Sequence, residues 1–150
     1  MKRSVRFNLR DILLGISPRI MNEEKKYKVL IVDDDKFLLD MYATKFKNLG
    51  HDVGVAVGAN EALEKIRGGE VPEVLILDII MPSMDGLELL ETIRKENLIK
   101  DTSIVMLTNE TDPAKIEKAK SLGVSGYIVK ATTIPSEVVG EVISIVSKKA

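Results

Sequence analysis

Residues 74–86 read Val74-Leu75-Ile76-Leu77-Asp78-Ile79-Ile80-Met81-Pro82-Ser83-Met84-Asp85-Gly86, and this stretch decides how the chain folds. Four aliphatic residues in a row end at the carboxylate of Asp78. A short, continuous apolar run is typical of a strand that is covered on both faces, as in a parallel sheet. The stretch therefore predicts a buried strand that delivers Asp78 to the edge of a sheet.

Apolar runs of similar length occur on both sides of this stretch. They lie at residues 29–32, 53–57, 104–107 and 127–129. The run at 53–57 alternates valine with glycine and alanine, which is more typical of an edge strand than of a strand buried on both faces. The sequence thus predicts five strands, one of them at an edge.

Segments with helical spacing separate and follow these strands. Four of them are marked by apolar positions at Leu38, Met41, Tyr42 and Leu49, at Ala59, Leu63 and Ile66, at Leu87, Leu90 and Ile93, and at Val138, Val142, Ile145 and Val146. Gly50 suits the left-handed turn that ends a helix. Asp112-Pro113 is a start signal for the remaining helix, and Pro135 opens the last one. Strict alternation of strands and helices predicts an α/β fold with a parallel sheet covered on both faces.

Polar residues follow four of the five apolar runs. Asp33, Asp34, Asp78, Thr108 and Lys130 all stand at the ends of predicted strands. Because ligands of parallel α/β sheets bind beyond the carboxyl ends of the strands, we expect these side chains to converge there. Crowded carboxylates need a cation, and Mg²⁺ prefers such hard oxygen ligands. A carboxylate nucleophile with Mg²⁺, an ammonium and a hydroxyl is suited to forming an acyl phosphate.

Charge and composition divide the chain into two unequal parts. Residues 1–26 have a net charge of +4, from seven basic and three acidic residues, whereas residues 27–150 have a net charge of −5, from fifteen and twenty. The acidic part has no evident basic patch, which argues against direct binding of nucleic acid. No run is long enough to span a bilayer, and the absence of cysteine fits a reducing cytosol.

We expect residues 1–26 to be an N-terminal extension that is disordered or weakly helical, with Met21 as an alternative start. Any membrane contact is expected only through this basic, partly amphipathic segment. Residues 27–149 are expected to form one domain.

Five stretches of the chain together resemble the receiver domains of bacterial response regulators in two-component systems, of the stand-alone chemotaxis type. They are Val29-Leu30-Ile31-Val32-Asp33-Asp34-Asp35, Leu77-Asp78-Ile79-Ile80-Met81-Pro82, Met84-Asp85-Gly86, Val105-Met106-Leu107-Thr108-Asn109 and Gly126-Tyr127-Ile128-Val129-Lys130. The resemblance implies a flavodoxin-like (βα)5 fold, doubly wound, with strand order 2-1-3-4-5.

The resemblance also implies a role for each matching residue. Asp78 is expected to be the phosphoacceptor, and Lys130 and Thr108 to contact the phosphoryl group. Tyr127 is expected to be the aromatic switch that follows Thr108. The Mg²⁺ ligands implied are Asp33, Asp34, Asp78 and the backbone carbonyl of Ile80.

The implied function is cytoplasmic signalling rather than enzymatic turnover. A sensor histidine kinase or a histidine phosphotransfer protein is expected to donate the phosphoryl group. The face formed by the fourth helix, the fifth strand and the fifth helix would then signal to a downstream protein, and a homodimer that forms on phosphorylation is a further candidate. On the fifth helix, Val139 and Ile143 are either buried or available to dock a partner. His51 is expected at the surface.

Three residues depart from the family pattern or bear on its kinetics. Ala131 stands where the family usually has proline after the lysine, and Asn109 stands where it prefers a very small residue. Ile80 cannot orient an attacking water, so slow self-dephosphorylation is expected. The enzymatic alternative is a haloacid-dehalogenase-like, Mg²⁺-dependent phosphatase with Asp33 as nucleophile and Asp35 as its second carboxylate, although Phe37 does not match that family's motif.

Overall fold

The computed structural model describes residues 25–148 of the chain. Its strands are β1 (Lys28–Asp33), β2 (Asp52–Val57), β3 (Val74–Leu77), β4 (Ser103–Thr108) and β5 (Gly126–Val129). Its α-helices are α1 (Lys36–Asn48), α2 (Ala59–Arg67), α3 (Gly86–Lys95), α4 (Pro113–Ser121) and α5 (Pro135–Ser147). A short 3₁₀ helix, Lys130–Thr132, follows β5 directly. The predicted alternation of strands and helices is confirmed.

The five strands form one parallel sheet in the order β2-β1-β3-β4-β5. The expected doubly wound strand order is therefore confirmed, with β2 at an edge as its alternating pattern predicted. Helices α1 and α5 cover one face of the sheet, and α2, α3 and α4 cover the other. Strand order reverses between β1 and β3, so the polar residues that follow these two strands lie at the topological switch point.

Helix boundaries follow the capping signals in the sequence. The side chain of Asp112 accepts a hydrogen bond from the Ala114 N–H, and Pro113 occupies the first turn of α4. Asp85 and Glu88 form a reciprocal capping box at the start of α3. Gly50 has a φ of +89°, the left-handed conformation that glycine adopts without strain. These caps satisfy backbone groups that a helix end leaves without partners.

Two predictions about burial were wrong. The buried face of α1 consists of Leu39, Tyr42, Ala43 and Phe46, whereas Leu49 is largely exposed. His51 is buried rather than at the surface, because its Nδ1 accepts the Tyr27 N–H at 3.0 Å and its ring packs against Phe46.

Val139 on α5 is also buried, at 3% exposure, and Ile143 is half-buried. Of the two interpretations of α5, the buried core helix is therefore confirmed at Val139, and the exposed docking surface is wrong there.

The expected N-terminal extension lies outside the described residues except at its end. There, Lys26 Nζ donates to the Leu49 carbonyl at 2.7 Å, and Lys25 pairs with Glu73 at 3.1 Å. Within residues 25–148, no helix is long and apolar enough to cross a membrane.

Candidate functional site

Three carboxylates converge where β1 and β3 end. Asp33 is the last residue of β1, Asp34 follows it directly, and Asp78 is the first residue after β3. Each offers a carboxylate oxygen, and these oxygens all lie within 4.8 Å of one another. Asp33 and Asp78 are 3% and 5% exposed, whereas Asp34 faces solvent. The sequence prediction that these residues meet at the carboxyl edge of the sheet is confirmed.

Backbone hydrogen bonds fix the orientation of the two buried carboxylates. Asp33 Oδ1 accepts the Asp35 N–H at 2.9 Å, and Asp78 Oδ1 accepts the Ile80 N–H at 3.1 Å. In each case the N–H two residues further on holds the side chain, so the first turn of the loop orients the carboxylate. The other oxygen of each side chain points to the same cation, Lys130.

Lys130 connects β5 to this cluster across the sheet. Its Nζ donates to Asp78 Oδ2 at 2.8 Å and also to Asp33 Oδ2. The Lys130 side chain is only 10% exposed, so the two contacts are shielded from water. A long side chain from β5 thereby joins the residues that follow β1 and β3.

Burial determines the proton affinities of this cluster. Burial raises the pKa of Asp33, and the hydrogen bonds from Lys130 and from the Asp35 N–H offset this only in part. Burial lowers the pKa of Lys130, but its hydrogen bonds to Asp33 and Asp78 outweigh that effect and leave the pKa raised. Lys130 therefore stays an ammonium, paired with the two buried carboxylates.

The donor set fits a hard divalent cation. Lys130 pairs with the two buried carboxylates, and the exposed carboxylate of Asp34 lies beside them, which leaves an excess of negative charge at the site. Mg²⁺ takes one or two carboxylates and keeps several waters, and exposed Asp34 leaves room for those waters. Ile80 is 53% exposed, and its N–H is the group that contacts Asp78.

Thr108 lies at the end of β4, beside β3, and is fully buried. Its Oγ1 accepts the Ile79 N–H at 3.4 Å and the Glu110 N–H at 3.2 Å. The hydroxyl is thus held next to the backbone that follows Asp78. A buried hydroxyl proton at this place can serve as a donor to an added anionic group.

Comparison with known proteins identifies the family. The sequence profile of the response regulator receiver domain matches residues 29–139. The chemotaxis protein CheY1 of Helicobacter pylori strain J99 is 37% identical over 107 residues, which cover 71% of this chain and 86% of that protein. The chain belongs to the response regulator receiver family.

Further relatives agree with this assignment. A CheY homolog of Campylobacter jejuni is 38% identical over 71% of this chain and 82% of its own length. The solved structure of CheY4 of Vibrio cholerae has a TM-score of 0.71 at 32% identity, covering 81% of this chain and 99% of that one. Proteins of this family are signalling domains. Chemotaxis proteins are thus found among the relatives of this receiver both by sequence and by structure.

The dehalogenase-like alternative loses its second carboxylate in this receiver. Asp35 is the N-cap of α1, and its side chain accepts the Leu38 N–H at 3.1 Å. The first carboxylate, Asp33, is shared between Lys130 and the Asp35 N–H. Since Asp35 is engaged in capping, the motif that suggested the alternative is explained by helix initiation.

Tyr127 of the receiver lies half-exposed on β5. Its hydroxyl donates to the Glu110 carbonyl at 2.6 Å, in the loop that follows Thr108. Burial, together with the nearby charges of Glu110 and Asp78, raises the pKa of Tyr127 to about 12. The phenol therefore remains a neutral donor, and it connects β5 to the same loop that holds Thr108.

Gly86 packs directly beneath the candidate phosphoacceptor, a contact that the sequence motif did not explain. The Gly86 N–H donates to the Ile79 carbonyl at 2.9 Å. A Cβ atom at this position would lie 2.1 Å from the Asp78 carbonyl oxygen. The start of α3 thus approaches the Asp78 backbone as closely as only glycine permits.

The two departures from the family pattern contact each other in this receiver. Asn109 Oδ1 accepts the Ala131 N–H at 2.7 Å. None of the peptide bonds among the described residues is cis, and Lys130 still reaches Asp78. Sequence reasoning identified both residues singly, but no local pattern signals a contact between positions 22 apart.

Proposed function

We propose that this receiver accepts a phosphoryl group on Asp78 in a Mg²⁺-dependent reaction and passes the signal to another protein. The observation that carries the proposal is the convergence of Asp78 with Asp33, Asp34 and Lys130 within one shielded cluster. Asp78 is the central member, because it follows the middle strand β3 and contacts the ammonium at 2.8 Å.

The proposed Mg²⁺ ligands are Asp34, Asp78 and the backbone carbonyl of Ile80, with Asp33 acting largely through a bound water. When bound, Mg²⁺ supplies positive charge that neutralises the oxygens of the phosphoryl group. The raised pKa of Asp33 supports this assignment, because added positive charge favours the ionised carboxylate.

In the proposed transfer, an oxygen of the Asp78 carboxylate attacks phosphorus and forms the new P–O bond. The bond from phosphorus to the donor breaks, and the leaving group keeps its electron pair. The donor is the phosphohistidine of a sensor kinase or of a histidine phosphotransfer protein. Lys130 holds a phosphoryl oxygen in line, and the Thr108 hydroxyl donates to another once the group is attached.

The output proposed for this receiver is a change in the face formed by α4, β5 and α5. Thr108 and Tyr127 both bond to Glu110, through its N–H and its carbonyl respectively. A movement of Thr108 toward a phosphoryl group pulls on the loop that Tyr127 holds from the other side. The partner is a downstream protein target or a second copy of the chain, without direct contact to nucleic acid.

The remaining expectations complete the proposal. Residues 27–149 form the receiver, and any membrane contact is assigned to residues 1–26. The location is cytoplasmic, in line with a chain that contains no cysteine. The domain assists its own phosphorylation and dephosphorylation, and it is not a turnover enzyme. Phosphoryl loss is expected to be slow, because exposed Ile80 offers no group to orient water.

Intact-mass analysis after incubation with acetyl phosphate and Mg²⁺ tests the proposal. One added phosphoryl group is expected in the parent protein, with none in Asp78→Ala and none when EDTA replaces Mg²⁺. Asp35→Asn is the matched control, because Asp35 directly follows Asp33 and Asp34 in the sequence but caps α1 and is not part of the acidic cluster. An adduct that persists in Asp78→Ala would refute the assignment of the phosphoacceptor.

A further inference from the structure

One side chain joins the loops that follow β4 and β5. Asn109 Oδ1 accepts a hydrogen bond from the Ala131 N–H at 2.7 Å. Asn109 is the residue after Thr108, and Ala131 is the residue after Lys130. The bond therefore connects the immediate neighbours of the two residues that are proposed to contact the phosphoryl group.

The place of this bond in the sheet explains why it forms. Strands β4 and β5 pair as far as Thr108 opposite Val129, and the chain after β5 then turns into the 3₁₀ helix Lys130–Thr132. The first N–H groups of such a helix have no partner within it. Asn109 supplies an acceptor to one of them, Ala131 N–H. The side chain thus extends the contact between the two strands past their last backbone pair.

The bond also relates the two departures from the family pattern to one function. A proline after the lysine would fix its own φ and would have no N–H to donate. Ala131 leaves φ free but provides the N–H, and Asn109 uses it. A residue too small to reach across, as the family prefers after the threonine, could not make this contact.

We propose that Asn109 is a positioning residue for Lys130, acting through the Ala131 N–H. The bond fixes the turn from which the Lys130 side chain reaches Asp78 at 2.8 Å. This inference rests on the proposed function, since it assigns Lys130 to the phosphoryl group.

Three substitutions at position 109 separate the hydrogen bond from the bulk of the side chain. Asn109→Gln keeps an amide oxygen acceptor without adding charge, Asn109→Leu keeps the size without an acceptor, and Asn109→Ala removes both. Ser121→Ala is the matched control, because it deletes another exposed side-chain bond to a backbone group, 2.6 Å long, on α4. Circular dichroism and urea unfolding establish that each variant is folded.

The kinetic measurement separates the maximal rate of phosphorylation by phosphoramidate from the donor concentration at half-maximal rate. Losing an exposed hydrogen bond of ordinary strength predicts a maximal rate lowered by about three- to ten-fold in the Leu and Ala variants. Half-saturation is expected to stay unchanged in these two, and the maximal rate is expected to be retained in Asn109→Gln. A faster Ala variant beside a slow Leu variant would mean that bulk, rather than the bond, is what matters.

Nuclear magnetic resonance provides a readout that needs no phosphorylation. Exchange of the Ala131 amide proton is expected to accelerate by about three- to ten-fold in the Leu and Ala variants. The Lys130 side-chain resonances are expected to shift in the same two variants and not in Asn109→Gln. Unchanged Lys130 resonances in all variants would overturn the inference. Absence of phosphorylation in the parent protein would instead overturn the proposed function, with the Lys130 resonances still deciding the role of Asn109.

Discussion

Replacing Gly86 by alanine tests how rigidly the fold holds the proposed phosphoacceptor. The new Cβ would lie 2.1 Å from the Asp78 carbonyl oxygen and 2.9 Å from both the Asp78 carbonyl carbon and the Ile79 Cα. Ordinary contacts to a Cβ begin at 3.4 Å, so the atoms have to separate by about 1.3 Å, the difference between 3.4 and 2.1 Å. All three neighbours are backbone atoms, so no side-chain rotation relieves the clash.

The expected cost has a structural and a kinetic component. Overpacking a well-packed site typically costs about 1–3 kcal/mol, and we expect the free energy of unfolding to fall by that amount. The free energy of unfolding of a typical domain is about 5–15 kcal/mol, so we expect the variant still to fold. Because a misplacement of about 1 Å can slow a reaction by about 10²-fold, phosphorylation at Asp78 should slow by up to that factor.

Two other glycines provide a graded comparison. Gly140 on α5 has nothing within 4 Å of its Cβ position, and alanine there should stabilise the helix by about 0.8–1 kcal/mol. At Gly126 the new Cβ would meet three atoms of the Ile145 side chain, Cδ1 at 2.6 Å, Cγ2 at 2.9 Å and Cγ1 at 3.1 Å. This half-buried side chain has to shift, but no backbone atom stands in the way. The expected order of stability is therefore Gly140→Ala, then Gly126→Ala, then Gly86→Ala.

Urea unfolding followed by far-ultraviolet circular dichroism measures the stabilities, since the chain has no tryptophan to report by fluorescence. Intact-mass analysis over time measures the rate of phosphorylation at Asp78 in each variant. The reasoning would be refuted if Gly86→Ala unfolded at the parent's urea midpoint and accepted the phosphoryl group at the parent's rate. In that case the backbone around Asp78 would be free to move, and the close approach of α3 would not constrain it.

The remaining predictions concern the metal, the charges and one helix cap. Mg²⁺ at about 100 times its dissociation constant should raise the free energy of unfolding by about 2.7 kcal/mol, and urea titrations of Asp34→Asn should show little of that gain. The pKa of Asp33 is raised on folding, so ionising this carboxylate lowers the stability of the folded protein. This loss of stability is absent below the ordinary pKa of 3.8 and grows as the pH rises through the pKa of the folded state. Asp33→Asn in EDTA should therefore have a higher free energy of unfolding than the parent at about pH 7. Equal stability of the two proteins at that pH would contradict the raised pKa of Asp33. The pKa of Glu73 is lowered, chiefly by the Lys28 N–H, so Glu73→Gln should lose stability at neutral pH and match the parent in acid. Thermal unfolding should show Asp112→Ala destabilised by about 1 kcal/mol through loss of the α4 cap, and an unchanged midpoint would show that the cap is dispensable.

Local sequence patterns were sufficient for the secondary structure and the composition of the site. Continuous apolar runs predicted the strands, because strands covered on both faces have no solvent side that requires polar residues. Asp112-Pro113 and Gly50 marked helix ends through backbone chemistry that acts within a few residues. Asp33, Asp34, Asp78 and Lys130 were predicted to meet because each ends a strand, and parallel strands bring their carboxyl ends to one edge.

The burial of single side chains was harder to predict than the secondary structure, because it depends on helices and strands that are distant in sequence. The core face of α1 differs from the predicted stripe, because the sheet and α5 jointly determine which side of that helix is covered. His51 is buried because the Tyr27 N–H, 24 positions earlier, needs an acceptor there. At Val139 the sequence left burial and docking open, and burial is confirmed because β4, β5 and α1 pack around α5.

Local patterns in the chain were enough to predict the fold class, the strand ends and the residues that form the acidic cluster. Periodicity, capping and turn chemistry are short-range effects, and each can be recognised within one segment of the chain. Three contacts became evident in the folded protein alone: the sharing of Lys130 by two carboxylates, the packing of Gly86 against the Asp78 backbone, and the bond from Ala131 to Asn109. Those contacts join residues from different strand–helix units, so they exist only once the sheet and its loops are assembled.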